Sequence, residues 1–147
     1  MTAKKATADA VARGKAHFME TLGNLPEPIR AMMEHVPEEF AGYLKFREAI
    51  YRTPAAGAHL DLKTKEFLYT VLDIVTGNLE GAKNHGHAAF LAGMTSGELA
   101  EGCMQVMHVC GVTTWGKTGY KVVDYIAELE RSGKGRAMAK KARPWRT

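Results

Sequence analysis

The residues able to do chemistry in this chain cluster in two runs. Glu66 lies in LDLKTKEFLYTVLDIV, and His85 lies in TGNLEGAKNHGHAAFLAGMT. An imidazole with an unperturbed pKa near 6.5 exchanges protons close to neutral pH. A carboxylate beside it can orient the ring or relay its proton, which together makes a general acid–base pair. Glu80 is a third candidate, placed where a helix would begin. On a helical wheel His85 stands about 140° from Glu80, whereas Glu80, Asn84 and His87 share a face. The two histidines of the run therefore point to different sides. His108 sits in the apolar run CMQVMHVCG, either as a core histidine or as a second imidazole in the pocket of His85. Glu66, His85 and His108 would together make a carboxylate and two-histidine metal set. No His-x-x-x-His motif supports that reading, so none of these residues is assigned to a metal. Trp115 and Tyr120 either pack or wall a substrate pocket.

These groups need helices to position them. Alternating strand patterns are missing and helical spacing is frequent, so the chain reads as an all-α, single-domain bundle of six or seven helices. A first helix is expected over 8–22, with Val11, Phe18, Met19 and Leu22 as its apolar side. Two more are expected in LPEPIRAMMEHV and PEEFAGYLKFREAIY, each entered through proline. Asp61 reads as the N-cap of a helix running to Val75. Its apolar residues Phe67, Leu68, Val71, Leu72, Ile74 and Val75 cover most of the surface and make it central. Glu66, Thr70 and Asp73 form one polar stripe on it, facing either solvent or a pocket. A helix from Leu79 to Ala92 follows, stopped by Gly93. Thr95 with Glu98 forms a capping box for the next. Gly111 interrupts that helix, and Thr113 or Thr114 caps a last one that Gly133 ends. Gly111, Gly116 and Gly119 crowd this junction, as where a subunit, a ligand or another backbone approaches closely.

The 147 residues suit one ordinary domain, expected over 1–131. The 46% apolar and 24% charged composition is that of a globular protein. There is neither an apolar run long enough to span a membrane nor an apolar segment behind the basic N-terminal residues, so a cytoplasmic protein with no membrane partner is expected. The segment 132–147 holds six basic residues and no acidic one, and removing it turns the net charge of +4 into −2. The positive charge is thus a tail, and without an aromatic-lined basic groove a nucleic-acid partner is not expected. Cys103 and Cys110, two turns apart on one helix, are separated by about 10.5 Å of rise. That is too far for a disulfide, and both read as buried, reduced thiols.

The elements from 61 to 126 resemble the carboxymuconolactone decarboxylase and alkylhydroperoxidase D-like superfamily. The resemblance is carried by LDLKTKE opening a helix, a histidine eight residues before Gly93, and AGMTSGELAEG opening the next helix. The peroxidase branch has Cys-x-x-Cys-x-x-x-His with a glutamate twelve residues before the first cysteine. With the histidine on His85, that glutamate falls on Glu66, while the cysteines fall on Asn78 and Gly81. Neither residue can be a nucleophile or form a disulfide, so thiol peroxidase activity is excluded. A residue that is histidine in some members falls on Glu80. The decarboxylase branch also lacks the cysteines and removes CO₂ from a small lactone acid without a cofactor. The resemblance thus implies a small-molecule substrate, His85 as acid or base, Glu66 as its partner, a contribution from Glu80, and substrate contacts from His108 and Trp115. It also implies a homo-oligomer, trimer or hexamer, with the site near subunit interfaces. The branch commonly carries a Gly-Gly-x-Pro turn where this chain has HVCGVTTWG. The alternatives are a non-catalytic or regulatory member, or a metal-dependent enzyme using His85 and His108.

Overall fold

A computed structural model describes residues 3–133. All of the tail expected from 132 onward except Ser132 and Gly133 lies outside the described residues. The described residues form seven α-helices and no strand. They divide into two compact units, Met1–Ala58 and His59–Thr147.

The first unit holds α1 (Ala3–Thr21), α2 (Glu27–His35) and α3 (Pro37–Ile50), then a 3-10 turn, Pro54–Ala56. Prolines open α2 and α3, as their fixed φ and missing N–H favour. α1 starts earlier than its apolar spacing predicts, and Met19 is 52% exposed. Phe18 and, just past the helix, Leu22 are buried as expected, together with Ala10, Gly14, His17 and Thr21. A side chain on Gly14 would begin 2.5 Å from the Phe40 ring, so glycine lets α1 lie close to α3.

The same unit buries a cation that no sequence signal marks. The guanidinium of Arg47 lies 4.3 Å from the Phe18 ring centre and 3.8 Å from that of Tyr51. Its Nη2 donates to Thr21 Oγ1 at 2.9 Å, and Thr21 donates on to the His17 carbonyl. Aromatic faces thus substitute for a counter-ion. Burial, and then the Arg47 charge, lower the pKa of His17 from 6.5 to about 4. The unfolded chain therefore binds a proton that the folded chain refuses between those values. Stability contributed by neutral His17 is complete above about pH 6.5 and is lost as the pH falls toward 4. Urea melts at pH 7 and pH 4.5 should show this loss, and His17→Gln should shrink the difference between them.

The second unit holds α4 (Leu62–Thr76), α5 (Leu79–Leu91), α6 (Ser96–Cys110), a π-helical turn (Trp115–Gly119) and α7 (Tyr120–Ser132). Asp61 caps α4 by accepting from Thr64 N at 2.8 Å, and the Thr95–Glu98 capping box of α6 is complete. Thr114 does not cap α7. Its hydroxyl donates to the Gly111 carbonyl, and the π turn carries the chain into α7. The core consists of Ile74, Ala82, Ala89, Met94, Leu99, Cys103, Val122 and Ile126. A Cβ on Gly119 would lie 3.6 Å from Cys103 Sγ and 3.2 Å from Trp115, so this glycine serves a close approach within the unit. Cys103 is buried, and burial pushes its thiol up to about 11. Cys110, expected to be buried, is exposed, and both cysteines are free.

The orientation of α4 is the reverse of what its apolar excess suggests. Glu66, Thr70 and Ile74 face inward, while Leu68, Leu72 and Val75 are 42%, 58% and 41% exposed. Glu66 and Thr70 of the polar stripe line the interior, Asp73 is half-buried, and part of the apolar stripe faces outward.

Candidate acid–base site

α4 and α5 are the most extensively packed pair of helices in the second unit. Gly86 is buried on α5, where a Cβ would make an ordinary contact with Thr70 Cγ2 of α4 at 3.5 Å and a tight one with Val122 of α7 at 3.3 Å. The Thr70 hydroxyl is turned back onto the Glu66 carbonyl at 2.7 Å, which satisfies it within its own helix. With the helices this close, the residue before Gly86 reaches across to α4. His85 Nδ1 lies 2.7 Å from Glu66 Oε2.

The two partners have different environments. The Glu66 side chain is fully buried, and the side chain of His85 is 21% exposed. Glu66 Oε1 has no hydrogen-bond partner among the described residues. A buried carboxylate is expensive unless bonded, so His85 is what this one holds. With Glu66 ionised, the carboxylate only accepts and Nδ1–H is the donor. In the neutral ring Nε2 is then left with a lone pair. The arrangement has the parts of an acid–base centre: a buried carboxyl group at one ring nitrogen and a partly exposed imidazole. The ring of Tyr69 stacks on His85, with centres 4.8 Å apart and planes 26° from parallel.

The positions that would carry a peroxidase's cysteines are structural. Asn78 caps α5 by accepting from Gly81 N at 3.1 Å, and its Nδ2 donates to Asp73 Oδ1 at 2.9 Å, tying α5 to α4. A Cβ on Gly81 would begin 2.5 Å from Asp73 Oδ2 and closer still to Asn78 Nδ2, so a side chain here would have to displace the Asn78–Asp73 tie.

The remaining candidates make no hydrogen bond to the pair among the described residues. Glu80 is exposed in the first turn of α5 and hydrogen-bonds to neither Glu66 nor His85 among the described residues. His87, as its spacing predicts, points elsewhere, edge-on to Tyr125 of α7 at 6.4 Å. His108 lies exposed in the last turn of α6, beside exposed Val109 and Cys110. Its apolar neighbours suggested a core histidine, but this end of α6 has an open face. Among the described residues no three His, Cys, Asp or Glu side chains converge as metal ligands would, so Glu66, His85 and His108 do not form that set. Trp115 is half-buried in the π turn, against the unit's core. Tyr69 and Arg47 are the residues missed from sequence. The only signal for Tyr69 was its place three residues after Glu66.

No described helix is long and apolar enough to cross a membrane. No protein-family model matches the chain, and neither does any curated protein. A solved structure does. It is that of a protein from Burkholderia xenovorans LB400 provisionally named a carboxymuconolactone decarboxylase. The two are 35% identical over 88% of this chain and 98% of that one, with a TM-score of 0.82. The all-helical fold, the glutamate–histidine frame and this likeness agree: the chain belongs to the carboxymuconolactone decarboxylase and alkylhydroperoxidase D-like superfamily.

Proposed function

We propose that the protein is an enzyme whose Glu66–His85 pair performs cofactor-free acid–base chemistry, decarboxylation or proton transfer, on a small organic acid or lactone, and that it is not a thiol peroxidase. The observation that carries this reading is the 2.7 Å bond between a fully buried carboxylate and a partly exposed imidazole. In a decarboxylation the bond to the leaving carboxylate breaks, and its electron pair forms an enolate as CO₂ departs. Protonated His85 gives its Nε2 proton to the enolate carbon and becomes neutral, and water reprotonates it. Glu66 stabilises the imidazolium between turnovers and keeps Nδ1 protonated throughout. Running the first step as proton removal by neutral Nε2 serves an isomerisation equally well. The test is a panel of lactone acids and β-keto acids assayed for CO₂ release. An active substrate should lose turnover in His85→Gln, and full turnover by that variant would refute the assignment.

We also infer a homo-oligomer, trimer or hexamer. Leu68, Leu72 and Val75 recur at i, i+4 and i+7 on α4 and are exposed together, which suits a subunit contact. Leu72→Glu should lower the mass measured by analytical ultracentrifugation, and an unchanged mass would exclude this stripe from the contact.

A further inference from the structure

We propose that Tyr69 is a positioning residue that holds the His85 ring in the orientation its chemistry needs; this rests on the acid–base reading of the Glu66–His85 pair. Glu66 and Tyr69 are three residues apart on α4, which places them on one face of the helix, a turn apart. His85 enters from α5 and meets both. Glu66 holds one edge of the ring through Nδ1, at 2.7 Å. One hydrogen bond at an edge fixes a point and leaves the ring free to rock about it, since the terminal torsion of histidine is broad. Tyr69 supplies the second constraint, a face-to-face contact at 4.8 Å and 26°. Edge and face together define the ring's plane. They keep Nδ1 on the carboxylate and direct Nε2 away from it. The ring face also suits both states of the cycle, because an aromatic face packs against neutral imidazole and attracts imidazolium. This role requires the ring and not the hydroxyl, so phenylalanine should preserve it and an aliphatic side chain should not.

The experiment uses the full chain labelled with ¹⁵N at histidine. Long-range ¹H–¹⁵N spectra, recorded where the imidazole is neutral, report which nitrogen carries the proton. The wild type and Tyr69→Phe are expected to show His85 as one tautomer, protonated at Nδ1. Tyr69→Leu is expected to show a mixture with the Nε2–H form. On a substrate, Tyr69→Leu should lose roughly tenfold or more in kcat with KM little changed, and Tyr69→Phe should restore it. Leucine is a good helix former at this half-exposed position, and Tyr69→Met is a second aliphatic variant if Leu does not fold. A single Nδ1–H tautomer in the aliphatic variant, with kcat within about twofold of wild type, would overturn the proposal. A tautomer mixture already present in the wild type would overturn the Glu66–His85 reading itself and Tyr69's role with it.

Discussion

Glu66→Gln is expected to cut turnover by about 10²–10⁴-fold while leaving the protein folded, because general acid–base catalysis contributes on that scale. The substitution keeps the shape of the side chain and removes its charge. Glutamine can still accept from Nδ1–H through its carbonyl, but it can equally donate its amide to Nδ1 and reverse the tautomer. In the first case the imidazolium loses the buried anion opposite it. In the second Nε2 carries the proton in the neutral ring and cannot act as a base. Both outcomes lower kcat. Substrate affinity should change less, since Glu66 is fully buried and acts through His85. Stability should hold or rise, as the buried carboxylate oxygen Oε1 that lacks a partner among the described residues is replaced by a neutral group. His85→Ala is the poorer probe, because it leaves a buried carboxylate unpaired at a cost of about 3–5 kcal/mol. Steady-state kinetics alongside circular dichroism separates the catalytic loss from unfolding.

Ile126→Ala should be the most destabilising of the simple truncations near the site. Ile126 is fully buried in the core of the second unit, with Val122 a turn away on α7. A Cβ on Gly86 would stand 3.6 Å from the Ile126 side chain and 3.3 Å from that of Val122, so α7 backs α5 directly behind His85. Removing this side chain should cost about 2–5 kcal/mol through lost burial and an unfilled cavity. That corresponds to a fall in Tm on the order of 10 °C. The cavity would open behind α5, so the Glu66–His85 distance should loosen and activity should fall as well. A thermal melt measures the first effect. A melt within about 1 °C of wild type would mean that this part of α7 contributes little to the fold.

Much of the fold was readable because short-range signals specify helix ends. Asp61, the Thr95–Glu98 box, and Gly93, Gly111 and Gly133 act within a few residues of themselves, and no distant contact can easily override them. Faces were harder. On α4 the apolar residues outnumber the polar ones, and hydropathy alone turns Leu68, Leu72 and Val75 inward. What turns Glu66 inward is a histidine nineteen residues later that can satisfy it, together with the extensive packing of α5 on α4. Neither is visible in the periodicity of α4. The pairing itself was expected only because the resemblance set Glu66 and His85 in one frame. Arg47 stayed hidden for a similar reason. A charge is ordinarily read as solvated, and its burial depends on the rings of Tyr51, just past the end of α3, and Phe18 across on α1. Thr114 looked like a cap, but the backbone took a π turn that uses its hydroxyl locally. The core reading of His108 fails because an apolar run marks a buried face only when something packs on it.

The most direct test of the acid–base assignment is the kcat for CO₂ release from the first substrate the panel identifies, compared among wild type, Glu66→Gln and His85→Gln. A shared acid–base pair predicts that each variant loses about 10²-fold or more while remaining folded, and that the double variant loses little beyond the worse single one. Retention of kcat within about twofold by either variant would contradict the assignment of catalysis to this pair.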